Sequence, residues 1–266
     1  MRRVTLLTAL AIFGLTAATG YAQTNPPAVT TPAPARSVPA QVTPTPESRA
    51  QALKLAQALN GEELTRRQIN RLYTVTMPAA IKQKAEYQEM EKVYPGISDV
   101  AIQAEREIVE PASMARLPQM HQAIADVYAQ YLTSDDMEAI SAFYATPTGA
   151  KALAAAAEGS DFSHMVEKNL ASEDSKIEAS DIKTMVMGHT SKFLSILDDE
   201  DRRKLVAFAL SPAGRKWGGI QPMVLETTAN HANQGNAEVI TRATENVIKA
   251  MTDFVNKSDQ ARTAKK

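Results

Sequence analysis

The side chains able to do chemistry in this chain are four histidines, two acidic clusters and a lysine that twice stands two residues after a glycine. His121, His164, His189 and His231 are scattered. None lies three or four residues from another, the spacing that sets two ligands on one helix face, and there is no His-Glu-x-x-His. The chain has no cysteine, so a zinc site would need distant carboxylates, and no metal site and no cofactor are expected. The Gly-x-Ser-x-Gly turn of α/β-hydrolases is absent. Glu173-Asp174 and the Asp198–Asp201 run could serve a glycosidase only if two carboxylates faced each other across a cleft. Both clusters sit at predicted helix starts, where capping and the helix dipole account for them. Lys151 and Lys216 hint at anion binding, but the glycine spacing is nothing like a phosphate loop. No catalytic residue is therefore assigned, and the chain reads as a non-enzyme.

The same residues make better sense as architecture, because they belong to a stretch that recurs 65 positions later. The first copy runs Leu132-Thr133-Ser134-Asp135-Asp136, Ile140, Ala142-Phe143-Tyr144, then Thr146-Pro147-Thr148-Gly149-Ala150-Lys151. The second runs Leu197-Asp198-Asp199-Glu200-Asp201, Leu205, Ala207-Phe208, then Ser211-Pro212-Ala213-Gly214-Arg215-Lys216. A repeat of this kind signals a duplicated supersecondary unit. Thr133 and Asp198 are predicted helix caps, with Asp136 and Asp201 three residues on, as in a capping box. Ile140 with Phe143, and Leu205 with Phe208, share one helix face and belong to the core. Thr146 and Ser211 cap the next helix, which Pro147 and Pro212 start. Gly149 and Gly214 fall in its first turn, where a missing side chain lets backbone approach. The unit is a short helix, a sharp corner and a second helix.

The elements around these corners also read as helices. Thr45-Pro46 opens a helix with Ala52, Leu55, Ala56 and Leu59 as its apolar stripe, and Asn60-Gly61 stops it. A second starts near Glu62, carries Leu64, Ile69, Leu72, Tyr73 and Val75 on its apolar side, and bends or breaks at Pro78. Tyr94-Pro95-Gly96 is a turn, Ser98 caps the next helix, and Pro111 and Pro118 mark interruptions. Gly218-Gly219, followed by Pro222, suggests a kink beside Trp217. The region from about Asp174 to Asn256 reads as three helices, and Lys257–Lys266 as a frayed polar tail. Strand signals are missing. The expected fold is an all-α multi-helix bundle over 46–256 with a duplicated helix–Pro/Gly corner–helix unit, repeats lying near 128–153 and 193–218. A split near Ser172 into two related subdomains is the alternative.

The chain begins Met1-Arg2-Arg3, then an apolar stretch from Val4 to about Ala18, then Gly20-Tyr21-Ala22. That order is a secretory signal peptide cleaved after Ala22, shorter than the roughly 20 apolar residues of a spanning helix. The mature chain is expected in the periplasm or outside the cell. Gln23–Thr45, with six prolines among Ala, Thr and Val, is a spacer that cannot bury a core. Removing Arg2 and Arg3 leaves 27 basic against 30 acidic side chains, a net charge near −3. That argues against nucleic acid as a partner and gives no reason for strong attraction to anionic lipid.

Tyr128-Ala129-Gln130-Tyr131-Leu132-Thr133, Asp136, Phe143-Tyr144 and Thr146-Pro147-Thr148-Gly149-Ala150-Lys151 resemble the signature of a bacterial exported family, domain of unknown function 2059. Thr146 stands for the usual serine and Asp136 for the usual glutamate, and both keep the capping chemistry. The second copy has Ala209 where the tyrosine would be. The resemblance implies a helical, periplasmic protein and brings no catalytic residues. Three functions stay open: an interaction module for an envelope protein, a carrier of an apolar ligand such as lipid, and an unrecognised hydrolase. The eleven methionines fit either a helical core or a greasy groove.

Overall fold

The structure is a computed structural model that describes residues 39–171, 176–187, 195–234 and 236–264. The leader, most of the proline-rich spacer, Ser172, Glu173-Asp174 and His189 lie outside the described residues. Among the described residues every regular element is helical: α1 Pro46–Leu59, α2 Glu62–Arg71, a π-helical segment Leu72–Thr76, α3 Met77–Ile81, α4 Ala85–Val93, α5 Ile97–Tyr131, α6 Ser134–Tyr144, α7 Pro147–Gly159, α8 Ser163–Ala171, α9 Ala179–Met187, α10 Asp199–Leu210, α11 Pro212–Asn233 and α12 Asn236–Thr263. The all-α bundle is thus the observed fold. No helix among the described residues is long and apolar enough to cross a membrane.

Helix α5 is the axis, with α1, α11 and α12 packed along it. Its 35 residues run unbroken through Pro111 and Pro118, which corrects the expected interruptions. Both prolines are exposed and seven residues apart, on the outer side of the helix. The carbonyls that the two rings deprive of a partner belong to Glu107, which is exposed, and Met114, which is half-buried, while Val109, Leu117, Met120 and Ile124 are buried on the inner side. The start of α5 is also corrected. Gly96, at φ 91°, precedes the helix, and Ser98 is inside its first turn. The Glu91 carboxylate caps from outside, accepting from the Gly96 amide at 2.5 Å, the Ser98 amide at 3.2 Å and the Ser98 hydroxyl at 2.8 Å. The Gly96 amide, foremost, holds Glu91 below the usual carboxylate range.

At Pro78 the helix does not stop. The preceding turn widens instead into the π segment, closed by the Met77 amide donating to the Leu72 carbonyl. A wider turn answers a residue that has no amide and whose ring would strike the carbonyl four positions back. The widening shifts the facing: Leu72 and Tyr73 are buried, but Val75 is half exposed, against expectation.

The helix 46–59 forms as read, with Thr45 and Ser48 completing a reciprocal capping box. Val42 donates to the Gln130 carbonyl at 2.8 Å, so the last part of the expected spacer is tied to the end of α5. After Lys176 the described residues hold four helices rather than three, and the last continues to Thr263 where a frayed tail was expected. One helix, α11, runs through Gly218, Gly219 and Pro222. Methionines 77, 120, 137, 165 and 185 are all buried in the core.

Candidate functional site: the paired corners

Both corners form as the residue types dictate and share their proline–glycine hydrogen bonds, but the reciprocal capping box expected at both closes only at the first. At the first, the Asp136 amide donates to Thr133 Oγ1 at 3.2 Å and Asp136 accepts from the Thr133 amide at 2.9 Å, a full capping box. At the second, the Asp201 amide donates to Asp198 Oδ1 at 2.8 Å. Thr146 and Ser211 each accept from the glycine amide three residues on, at 3.1 and 3.0 Å. Each also donates its hydroxyl to the carbonyl of Phe143 or Phe208, at 2.6 and 2.7 Å. Pro147 and Pro212 occupy the first positions of α7 and α11.

The glycines do more than allow backbone approach in general. A Cβ on Gly149 would lie 2.9 Å from the Phe143 carbonyl carbon and closer still to its oxygen. On Gly214 it would lie 2.7 Å from the Phe208 carbonyl carbon and again closer to the oxygen. The incoming helix end is folded directly onto the first turn of the outgoing one, which only a bare Cα permits.

The corners then grip each other crosswise. Lys216, from the second, donates to Asp136 Oδ2 of the first at 2.5 Å. Lys151, from the first, donates to Asp201 Oδ2 of the second at 2.7 Å, and its Nζ is 3.6 Å from Asp198. Thr148 adds a hydroxyl donated to Asp201 Oδ1 at 2.7 Å. Between the two bridges the Phe143 and Phe208 rings stack, centroids 4.0 Å apart and planes 3° from parallel. Tyr144 meets Phe208 edge-on at 6.0 Å and Trp217 at 6.4 Å, while Tyr128 lies 5.1 Å from Trp217. Phe208 is buried, whereas Phe143 is half-buried and touches both the main core and a smaller alanine-rich cluster of Ala152, Ala155, Ala156, Ala157, Leu197 and Leu205.

The two corners differ where size matters. Tyr144 corresponds to Ala209, and Ala152 to Trp217. Both large rings therefore fall on the side of the main core, and α7 packs on the alanine cluster instead. Trp217 is fully buried, which places it in the core rather than on a partner-facing surface.

The charges of the motif are shaped by this pairing. The Lys151 hydrogen bond, then that of Thr148, holds the Asp201 carboxyl at about 2. Burial raises Asp136, but the Lys216 and Thr133 hydrogen bonds outweigh it and keep that carboxyl below its ordinary range. A carboxyl depressed in the folded state contributes stability that is present above its unfolded pKa, near 4. That contribution is lost as pH falls toward 2. The Lys151→Met variant is expected to unfold at a higher pH on acid titration followed by far-ultraviolet circular dichroism, because Asp201 loses the partner that depresses it. An unchanged acid midpoint would show that the crossed bridge contributes nothing.

The motif residues of the two copies, from Thr133 to Lys216, thus land in one assembly, and Glu173-Asp174 and His189 lie outside the described residues. His164 stands 3.4 Å from Asp181, His121 Nε2 is 2.7 Å from the Asn60 carbonyl, and His231 is buried in α11. The described residues contain no group of three or more side chains able to hold a metal ion. What the sequence reading missed is the crossing itself. Its signal was present in the copies, since an acid and a base recur together in both, and such a pair can close between copies as readily as within one.

The family model described as an uncharacterized protein conserved in bacteria, domain of unknown function 2059 (DUF2059), matches residues 118–158. That span covers the end of α5, all of α6 and nearly all of α7, so the family likeness seen in the residues holds over the first corner. No curated protein matches the chain, and no solved structure does.

Proposed function

We propose that the chain is a non-enzymatic interaction module of the bacterial cell envelope, delivered there by the leader 1–22. The crossed pairing supports this reading: the carboxylates and lysines with the best claim to chemistry are committed to joining two corners. The buried methionines favour it over the carrier, since they fill the core rather than line a groove. Contacts with a partner are left to the outer faces of the helices, where Val206 and Leu210 of α10 stand exposed one turn apart.

The test is a photo-crosslinking residue placed at Leu210 in cells, paired with native mass spectrometry of the mature chain from its own envelope. A discrete protein adduct at Leu210, with an N-terminus beginning at Gln23, is the expected result. A copurifying lipid mass without a protein adduct would transfer the reading to the carrier. Turnover of an ester or glycoside by the pure chain would overturn it in favour of the hydrolase.

A further inference from the structure

Glu105 is the most deeply buried charged-type side chain of the molecule's axis, and the corners do not use it. It sits on the inner side of α5 between Ala101 and Val109 and has no exposed surface. Its Oε2 has no hydrogen-bond partner, and its Oε1 is 3.5 Å from the Tyr73 hydroxyl, the outer limit of a hydrogen bond. Tyr73 comes from the π segment, the stretch that Pro78 already forces out of regular α-helical bonding. The Tyr87 hydroxyl of α4 is likewise buried without a partner, and the charge on Glu105 acts on it.

We propose that Glu105 is a proton-controlled latch: uncharged, it lets the π segment and α4 close over α5; charged, it drives them apart to reach water. The groups that face it are few. Tyr73 comes from the π segment and Tyr87 from α4. On α5 itself Arg106 lies over the Tyr73 ring at 5.9 Å and Glu110 acts on Tyr73. Glu86 of α4 acts on Tyr87. From α12 the neutral Asn246 amide donates to the Ala104 carbonyl at 2.7 Å, beside the latch. Among the described residues no cation pairs with Glu105, so its charged form has only the long Tyr73 contact to support it. Burial pushes its carboxyl up to about 8, against the weaker opposing effect of Tyr73. The latch is therefore shut in acid and released in mild alkali.

Hydrogen exchange of the full mature chain between pH 5 and 9, corrected for the intrinsic rate, tests this. Protection of amides in 72–93 is expected to fall roughly ten- to hundredfold from pH 6 to 9 while amides of α11 hold theirs. Glu105→Gln is expected to abolish the fall. Tyr73→Phe, which keeps the carboxyl but removes the hydroxyl that favours its charge, is expected to move the fall to higher pH. A flat wild-type profile, the same fall in Glu105→Gln, a shift to lower pH in Tyr73→Phe, or equal loss in α11 would each overturn the latch.

Discussion

Replacing Gly214 by alanine is expected to cost the fold more than any other single methyl group in the chain. The new Cβ would meet the Phe208 carbonyl, which is backbone and cannot swing aside. The first turn of α11 would have to lift away from the end of α10. That lift breaks the Ser211 cap, unstacks Phe208 from Phe143 and pulls Lys216 from Asp136. Losing a cap costs about 1 kcal/mol and misfitting a packed contact typically about 1–3 kcal/mol more. A loss on the order of 3 kcal/mol is expected, read as a lower urea midpoint at constant slope. Trp217, the only tryptophan, lies three residues beyond Gly214 and reports the change directly through its fluorescence. A midpoint shift worth less than about 1 kcal/mol would mean that the corner can open without harm and that its geometry is incidental. Gly149→Ala should fail in the same direction, because the carbonyl of Phe143 stands in the same place.

Glu105→Gln should do the reverse and stabilise the protein. The carboxyl titrates near 8 in the folded chain and near its ordinary 4.5 when unfolded. Below that lower value both states hold the proton and burial carries no ionisation penalty. As pH rises from there toward 8, the unfolded state releases the proton and the folded state must keep it, so stability falls. Each unit of separation is worth about 1.4 kcal/mol, which gives a penalty on the order of 3 kcal/mol at pH 7 and under about 1 kcal/mol at pH 5. Glutamine has nearly the same shape and no charge to lose. The variant should therefore gain roughly 6–12 °C in melting temperature at pH 7, with little gain at pH 5. Equal melting temperatures for the two proteins at pH 7 would show that Glu105 reaches solvent in the native ensemble.

These two sites differ in how far the sequence revealed them. The corner could be read because each of its parts is local: a cap, a proline and a glycine at fixed spacing act through the chain's own neighbouring amides. Even the core roles of Phe143 and Phe208 follow from helix periodicity. Their stacking on each other does not, because nothing in one copy says that it faces the other. The prolines of α5 misled for a related reason. Proline breaks a helix when the freed carbonyl is buried, and whether Pro111 and Pro118 lie outside depends on what packs against the far face. Ser98 has the residue type of a cap, but the cap comes from Glu91 of the preceding helix. Glu105 is hard to see in the sequence because two of its nearest buried neighbours on α5 are alanines, at 101 and 104, which periodicity weights weakly. With those counted as core, a glutamate in their midst is an anomaly.

The crosswise grip has a consequence for how such a chain can change. A lysine removed from one corner is felt as an unanswered carboxylate in the other, 50 or 80 residues away along the chain. Neither corner can drift in charge alone, and the stretch from 118 to 158 that carries the family likeness holds only one partner of each bond. That stretch is a recognisable fragment of sequence but half of a mechanical joint, and its counterpart must be drawn from the remainder of the same polypeptide.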